Sequence, residues 1–462
     1  MPKDPYKSNH KINRVEVTND TLSGRGGLSL FVKYLHGIDI YGLVCPLFPG
    51  MRKSTKGLPL WNLFKQVFCF FLDGTSRHLT YFDQLSRDPG YAAVIENDSQ
   101  EMASSHQVKR FFNSFPQVCA WTLRKILKHL FIWRLKLEKP AVIELMIDTM
   151  VMANDDAKKR HGVQPTYKKV LGFQPLQVLW NGIIIDGIFR GGKKNGNCGD
   201  TVVNMVTALV RLIRKEYGDV PIILHLDAGF FDEKNFAAFD KLNIAFIAAG
   251  KMYNSVKDHV KNAPEKPWGK YDNGHQVWEY IEWSHRCDIW EKEYRTIYTR
   301  PLCEDGQGVL DFARPDGVVL TNIGVHPAVT ASLSEEYKKT EFIIQSNHHR
   351  GADELTHRGF KDFGFEELPF KQFAPNTAFY YCMLISFFLF ETFKEDVLSK
   401  ALPEEIPATS YATTVRRKAV DFAVKIVGGG REIVLKVTRA VMEGLQFDKL
   451  WELCQNPSPI RT

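Results

Sequence analysis

The sequence lacks the cysteine patterns that mark disulfide scaffolds and zinc ribbons. Its eight cysteines are scattered through 462 residues and form no C-x-x-C pair. It also has no internal repeat, no low-complexity tract, and no apolar signal-peptide core in its polar N-terminus, MPKDPYKSNHK. These absences argue against a disulfide-stapled secreted module, a solenoid and a C-x-x-C redox site. We therefore expect a reduced, cytoplasmic setting.

Long hydrophobic runs are also scarce. The most apolar stretch, AFYYCMLISFFLF at 378–390, is shorter than the roughly 20 residues that cross a bilayer, so it predicts a buried core helix and no membrane partner. A composition of 44% hydrophobic and 24% charged residues is typical of a globular protein. The length predicts two to four modules.

Charge is spread unevenly along the chain. Residues 1–140 hold 20 Lys and Arg against 11 Asp and Glu, a net +9, whereas the whole chain carries +7. This basic, mostly helical region favours a polyanionic partner, and we interpret it as a DNA-binding region. Within it, SSHQVKRFFNSFP (104–116) predicts a serine-capped short helix that presents Lys109 and Arg110. Both DNA reading and ordinary packing fit this helix.

The pattern changes near Pro140. Apolar strands at 141–153, 220–231 and 242–250 and two more between 169 and 192 alternate with a helical stripe at 200–218. This order predicts an α/β layer fold with acids at strand ends. We divide it into a core at 141–251, a mainly β, tryptophan-containing insertion at 252–340, a helical return of the core at 341–400, and a C-terminal region at 401–462.

The stretch NHHRGADELTHRGFK (347–361) carries a distinctive charge pattern. If it is helical, Arg350, Glu354 and Lys361 lie on one stripe, because each residue turns the helix by about 100°. Such a stripe has two interpretations: a solvated salt-bridge face, or a metal-binding carboxylate flanked by cations for phosphate.

Two further acids favour the second interpretation. Asp148 follows ELMI in the first strand, and Asp227 follows ILHL in a later one. Although each could be a simple turn former, acids from two strands and a helix can converge at one sheet edge. Three hard oxygen ligands there suit Mg²⁺, and two ions about 3.5–4 Å apart can cut a phosphodiester.

These residues resemble the DDE transposases of bacterial insertion sequences, in the branch with the signature Y-(2)-R-(3)-E-(6)-K. Arg350, Glu354 and Lys361 keep the spacing, whereas Asn347 occupies the tyrosine position. The segments IDTM, LDAGFF, RDP, ASSHQVKRF and LPFKQFAPNTAFYYCML extend the likeness over roughly residues 25–440.

The resemblance implies an RNase H-like catalytic core that binds terminal inverted repeats and performs cut-and-paste transposition. It implies Asp148, Asp227 and Glu354 as catalytic and metal-binding residues, with two Mg²⁺ ions for which Mn²⁺ can substitute. Arg350, Lys361 and Asn347 would contact double-stranded DNA, both transposon ends and target. A dimer in the DNA complex and a bacterial, nucleoid-associated location are further expectations.

Four other residues are candidate DNA contacts. His357 falls on the face that carries Glu354, and the loop DDAKKRHG (155–162) offers Lys158, Lys159 and Arg160. Each has an ordinary alternative, a histidine on a charged face or a solvated charge run.

Two rival functions were considered. An aspartyl phosphatase usually needs a second Asp two residues after the first, and here that position is Met150. A non-catalytic DNA-binding protein derived from a transposase predicts the loss of an acid, whereas all three are present.

Overall fold

The computed structural model describes residues 12, 14–49, 51, 57–194, 196–263, 268–287, 290–302, 316–349, 351, 353–429 and 432–460. The strands are β1 Thr21–Ser23, β2 Ile143–Thr149, β3 Met152–Ala153, β4 Gln164–Pro165, β5 Leu171–Phe173, β6 Leu176–Trp180, β7 Ile183–Ile188, β8 Ile222–Leu226, β9 Ala245–Ala249, β10 Gly269–Asp272, β11 Val277–His285, β12 Tyr294–Pro301, β13 Gly317–Thr321, β14 Val424–Gly429 and β15 Glu432–Val437.

The α-helices are α1 Leu28–Gly37, α2 Ile40–Val44, α3 Leu60–Asp73, α4 Phe82–Leu85, α5 Pro89–Val94, α6 Ser105–Asn113, α7 Gln117–Glu138, α8 Thr201–Glu216, α9 Glu233–Lys241, α10 Asn254–Asn262, α11 Pro327–Ser332, α12 Glu335–Lys338, α13 Thr340–His349, α14 Asp353–Phe363, α15 Phe373–Phe393, α16 Ser399–Ala401, α17 Ala412–Val415, α18 Arg439–Gly444 and α19 Phe447–Gln455.

A nine-stranded mixed sheet organises the chain, in the order β10-β11-β12-β13-β9-β8-β2-β6-β7. Its centre is parallel, because β8 pairs in parallel with both β2 and β9. The outer pairs are antiparallel. The mixed helix and sheet content confirms the α/β class, while the RNase H-like assignment stays a prediction.

Both faces of this sheet are buried, as the continuous apolar strands predict. Side chains alternate along β8: Ile222 and Leu224 join the main core, whereas Ile223 joins a second cluster. The second cluster contains residues of β9, β12, β13, α11 and α13. Strands β10 to β12, from the predicted insertion, therefore continue the central sheet, and the division into domains remains a prediction.

The main core joins the N-terminal helices to the sheet. Its buried residues run from Leu28 to Ile460 and include members of α1, α3, α6 and α7. Helix α15 is buried along nearly its whole length and packs on α3, α6, α7 and β7. The continuous helical segment Phe373–Ala401 is long and apolar enough to cross a membrane, but 89% of its most apolar window is buried inside the protein. The sequence interpretation as a core helix accounts for its composition.

One arginine connects two helix ends within this core. The Arg416 guanidinium donates to the carbonyl oxygens of Phe71 and Leu72 in α3 and of Asp362 and Phe363 in α14, at 2.7–3.1 Å. A cation at a helix C-terminus satisfies carbonyls that lack partners within the helix. Gly74, with φ +61°, leaves room for it, since a Cβ there would lie 2.3 Å from the arginine Cζ.

The sequence also predicts a return to helix over 334–361, and the structure has α12, α13 and most of α14 in this region. Lys339 adopts an extended conformation (φ −65°, ψ 141°) between the first two. Helix α13 ends at His349 and α14 begins at Asp353, with Gly351 between them. Glu354 and Lys361 still share one face, because both belong to α14.

A small second sheet stands beside the end of β2. Strand β3 follows β2 after two residues, and β5 pairs with both β3 and β4. The turn from β4 to β5 closes through the Thr166 amide, which donates to the Val170 carbonyl at 2.9 Å. Lys169 adopts a positive φ of 60° at the end of this turn. The sequence pattern did not predict this hairpin.

Candidate active site

Two aspartates lie side by side at the carboxyl edge of the central strands. The parallel register pairs Ile147 of β2 with Leu226 of β8, and Asp148 and Asp227 are the next residues. Asp148 accepts a hydrogen bond from the Thr149 amide at 2.6 Å. Asp227 accepts one from the Gly229 amide at 2.7 Å, which fixes the turn after β8. Neighbouring parallel strands end at one edge, so both carboxylates start from the same place.

Helix α14 brings its charged face to this edge. His357 Nδ1 lies 3.6 Å from Asp148 Oδ2. Glu354 is exposed and precedes His357 by three residues, almost one helical turn, on the same side of the helix. The helix that carries Glu354 therefore packs against the end of β2.

Tyr167, in the β4–β5 turn, lies within the electric field of all three acids. Partial burial raises the pKa of the Tyr167 hydroxyl, and the carboxylates of Asp148, Asp227 and Glu354 raise it further. Asp148, Asp227 and Glu354, distant along the chain, therefore all lie within electrostatic range of Tyr167.

His357 is neutral in this setting despite its contact with Asp148. Burial, together with the smaller effect of the Lys361 and Lys168 charges, lowers the pKa of His357 to about 4. The carboxylate contact would favour protonation, but at 3.6 Å it is longer than a strong hydrogen bond, so burial dominates. Its Nε2 is buried without a hydrogen-bond partner among the described residues. His357 therefore leaves the negative charge of the site uncompensated at neutral pH.

The acids fit a divalent cation in part. Within the described ranges, no three His, Cys, Asp or Glu side chains are grouped closely enough to hold a metal ion. Mg²⁺ needs only one or two protein carboxylates, since water and substrate phosphates complete its shell. Asp148 and Asp227 supply such oxygen donors at neighbouring strand ends, while the exposed Glu354 stands next to them without completing a three-ligand group.

The predicted DNA contacts of the signature divide into three cases. Arg350 lies outside the described residues. Lys361 donates to Glu366 at 2.8 Å, so its charge already has an acidic partner. Asn347 is half-buried on α13, and its neighbour His348 packs at 4.6 Å from the Trp278 ring.

The predicted cations outside the signature also differ from one another. Lys158 and Lys159 are exposed. Arg160 is held by Glu367 at 3.2 Å and by Asn154 at 3.1 Å. These two contacts orient Arg160 within the protein, so it is less free to bind a phosphate.

The short helix α6 has the predicted cap, since Ser104 and Gln107 form a reciprocal capping box. Lys109 and Arg110 are exposed on α6. A cleft of about 340 Å³ brings Lys109 together with Arg77, Arg160 and Lys371. The structure thus joins one cation of the N-terminal helices to one from the loop after β3. Roles in DNA binding for these residues remain predictions.

Tyr167 and Lys168 were missed by the sequence reasoning. The only available signal was local, an aromatic residue followed by two lysines in PTYKK between two apolar segments. Nothing in that pattern indicates proximity to acids, because the proximity depends on the pairing of β5 with β3, which follows β2.

Comparisons with a family model and with solved structures both give matches. A family model described as "Transposase DDE domain group 1" matches residues 6–457. Among solved structures, the cryo-EM structure of the piggyBac transposase synaptic complex with hairpin DNA is similar over 86% of this chain and 79% of that chain, at 13% identity and a TM-score of 0.42. No curated protein matches.

Proposed function

We propose a function on the premise that the chain belongs to the transposase DDE domain group 1 family, whose model spans nearly all of it. The protein binds the terminal inverted repeats of a bacterial insertion sequence. It then cuts the DNA strands at these ends and transfers them to a target by transesterification. Asp148, Asp227 and Glu354 are the catalytic residues.

The observation that carries the proposal is the register of β2 and β8. It sets Asp148 beside Asp227 at one sheet edge, with the Glu354 helix packed against the same edge. Paired carboxylates at a shared edge repel each other, and such an arrangement is stable when a cation offsets the repulsion. The site is open to solvent, since Glu354 and Tyr167 are exposed, and a wide polymer such as duplex DNA needs an open site.

DDE transposase domains generally use divalent metal ions, and Mg²⁺, with Mn²⁺ as a substitute, suits these oxygen donors. Two bound ions would supply an activated water or 3′-hydroxyl and would stabilise the leaving oxygen. The two aspartates hold the cation positions from fixed strand ends, and Glu354 contributes the third carboxylate from α14. His357, neutral and buried, packs against Asp148 and limits its movement.

The proposed partners follow from charge and chemistry. The basic helical region, including Lys109 and Arg110, contacts phosphates of the DNA end, and the basic cleft near Arg160 extends that surface. Cut-and-paste chemistry joins two ends, so the protein acts as a dimer on DNA. Its location is the bacterial cytoplasm, at the nucleoid.

A second candidate is a DNA-binding protein without catalysis. The observation that favours it is the missing three-ligand group among the described residues. This candidate predicts tight DNA binding that no divalent ion converts into strand cleavage.

A plasmid assay separates the two candidates. The substrate is a supercoiled plasmid carrying the gene with its flanking genomic DNA, and the products are mapped with Mg²⁺, with Mn²⁺ and with chelator. The proposal expects metal-dependent breaks at the boundaries of inverted repeats, lost in Asp148→Asn and Asp227→Asn. Retained binding with no breaks in either metal would favour the non-catalytic candidate.

A further inference from the structure

The turn between β4 and β5 presents an aromatic ring and a cation together at the acidic site. The Tyr167 side chain is 59% exposed, and the Lys168 ammonium lies 5.7 Å from the centre of its ring. The buried Thr166 anchors the turn, because its hydroxyl and amide both bind the Val170 carbonyl at 2.9 Å. The Tyr167 and Lys168 side chains therefore face solvent from a turn whose backbone is held in place.

Lys168 differs from Lys361 of α14 in having no acidic partner among the described residues. Among the described residues, no carboxylate lies within ion-pair distance of Lys168, whereas Lys361 is paired with Glu366 at 2.8 Å. The turn lies beside the site, because its strand β5 pairs with β3, which follows the Asp148 strand after two residues. An unpaired cation next to acids can bind a phosphate that the acids alone would repel.

Tyr167 supplies a complementary surface. Its ring is exposed, and the side chain is neutral at physiological pH, because partial burial and then the three carboxylates raise the pKa of its hydroxyl above the ordinary value of 10. An exposed neutral ring can stack on a nucleobase, a contact that every base can make. Because Lys168 follows Tyr167 directly, a base and its adjacent phosphate match the spacing of neighbouring side chains in this turn.

We propose that the Thr166–Lys169 turn positions the DNA strand at the acidic site, with the Tyr167 ring stacked on an unpaired base and Lys168 bound to the adjacent phosphate. The inference rests on the proposed function, because it assumes that the acids act on a DNA strand. It assigns the positioning cation to the β4–β5 turn in place of Lys361.

A fluorescent DNA fork tests the inference with the full-length protein. The probe is a duplex of about 30 base pairs with short unpaired arms, one carrying 2-aminopurine, whose fluorescence is quenched by stacking. Binding is measured by anisotropy with Ca²⁺ present, over a series of salt concentrations. The wild-type protein should quench the probe at saturation.

Each variant has its own expected result. Tyr167→Ala should abolish the quenching and weaken binding about tenfold, as expected for loss of one stacked base, while Tyr167→Phe should retain both. Lys168→Ala should preserve the quenching but reduce the slope of log affinity against log salt by about one, since one phosphate contact is lost. Tyr253→Ala is the matched control, because Tyr253 is also an exposed tyrosine (42%) but lies outside the basic helical region, and it should behave as wild type.

Three results would overturn the inference: no binding or quenching by the wild-type protein, equal quenching by Tyr167→Ala, or an unchanged salt slope in Lys168→Ala. The plasmid assay distinguishes this failure from failure of the proposed function. If Asp148→Asn abolishes metal-dependent cutting while Tyr167→Ala quenches and cuts normally, the function stands and the turn assignment is wrong. If wild-type protein never cuts, the proposed function fails as well.

Discussion

Helix α14 and the β4–β5 turn both bring charge to the acidic site, but their charges have different surroundings. Lys361 on α14 is paired with Glu366, and the neighbouring His357 is buried and neutral. Lys168 in the turn is exposed and has no acidic partner among the described residues. A cation held by its own protein has less to offer a substrate than a free one. Sequence spacing alone therefore does not show which cation already has an acidic partner within the protein.

The largest expected effect on DNA cutting comes from removing the charge of the Glu354 carboxylate on α14. Glu354→Gln keeps the shape of the side chain but removes its charge, and should lower Mg²⁺-dependent cutting by about 1,000-fold, or about 4 kcal/mol, with DNA binding nearly intact. Glu335→Gln is the control, because that exposed glutamate only pairs with Lys338 on α12. A Glu354→Gln protein that cuts at the wild-type rate would remove α14 from the catalytic assignment.

The next largest effect is expected on stability, from removing the arginine that joins α14 to α3. Arg416→Met leaves four carbonyls of α3 and α14 without this donor, and should lower the free energy of unfolding by about 3 kcal/mol. Urea unfolding measures the change. Arg439→Met is the control, since Arg439 is 89% exposed and should cost under about 0.5 kcal/mol. Equal midpoints for the two variants would contradict a role for Arg416 in joining the helices.

His357 predicts a pH dependence of stability on the α14 side. Its folded pKa, about 4, lies below the ordinary value of 6.5, so the unfolded chain takes up the proton first as the pH falls. The stabilisation from a neutral His357 is complete above pH 6.5 and is lost as the pH falls toward 4. The loss reaches about 2 kcal/mol by pH 5. Urea midpoints at several pH values should show a smaller acid loss in His357→Gln than in wild type. Parallel curves for the two proteins would show that His357 is not buried as described.

The smallest effect is expected at Lys361. Lys361→Ala removes a half-exposed pair with Glu366, and such a pair contributes under about 1 kcal/mol. We expect cutting within about twofold of wild type and an unchanged salt slope of DNA binding. A salt slope that falls by about one in Lys361→Ala, as proposed for Lys168→Ala, would show that Lys361 leaves Glu366 to bind DNA and would erase the contrast between the two elements.

The local patterns could be predicted from the sequence, whereas the contacts between distant segments could not. The apolar run before Asp148 and the one before Asp227 predicted strands that end in acids, and β2 and β8 have that form. The sequence also predicted helix over 334–361, but not the extended Lys339 that separates α12 from α13. The pairing of Lys361 with Glu366 lies beyond the quoted signature and depends on how the chain turns after α14.

The hairpin that carries Tyr167 illustrates the same limit. Strands β3, β4 and β5 are only two or three residues long, too short to show a period of two. The charge run at 158–160 led to a DNA-binding prediction, whereas in the structure Arg160 forms an ion pair with Glu367. The equally basic PTYKK segment was overlooked, because proximity to Asp148 is a property of the packed sheet and of no local pattern.

Arg416 gives the molecule a mechanical property that neither helix has alone. Its planar guanidinium donates hydrogen bonds to the last carbonyls of α3, in the basic helical region, and of α14, the helix that packs against Asp148. Tilting one helix against the other would break hydrogen bonds from this rigid group to both helices, so the two helix ends are held in a fixed relative orientation. A duplex seated on the N-terminal helices would therefore meet Glu354 at an angle set before any DNA arrives.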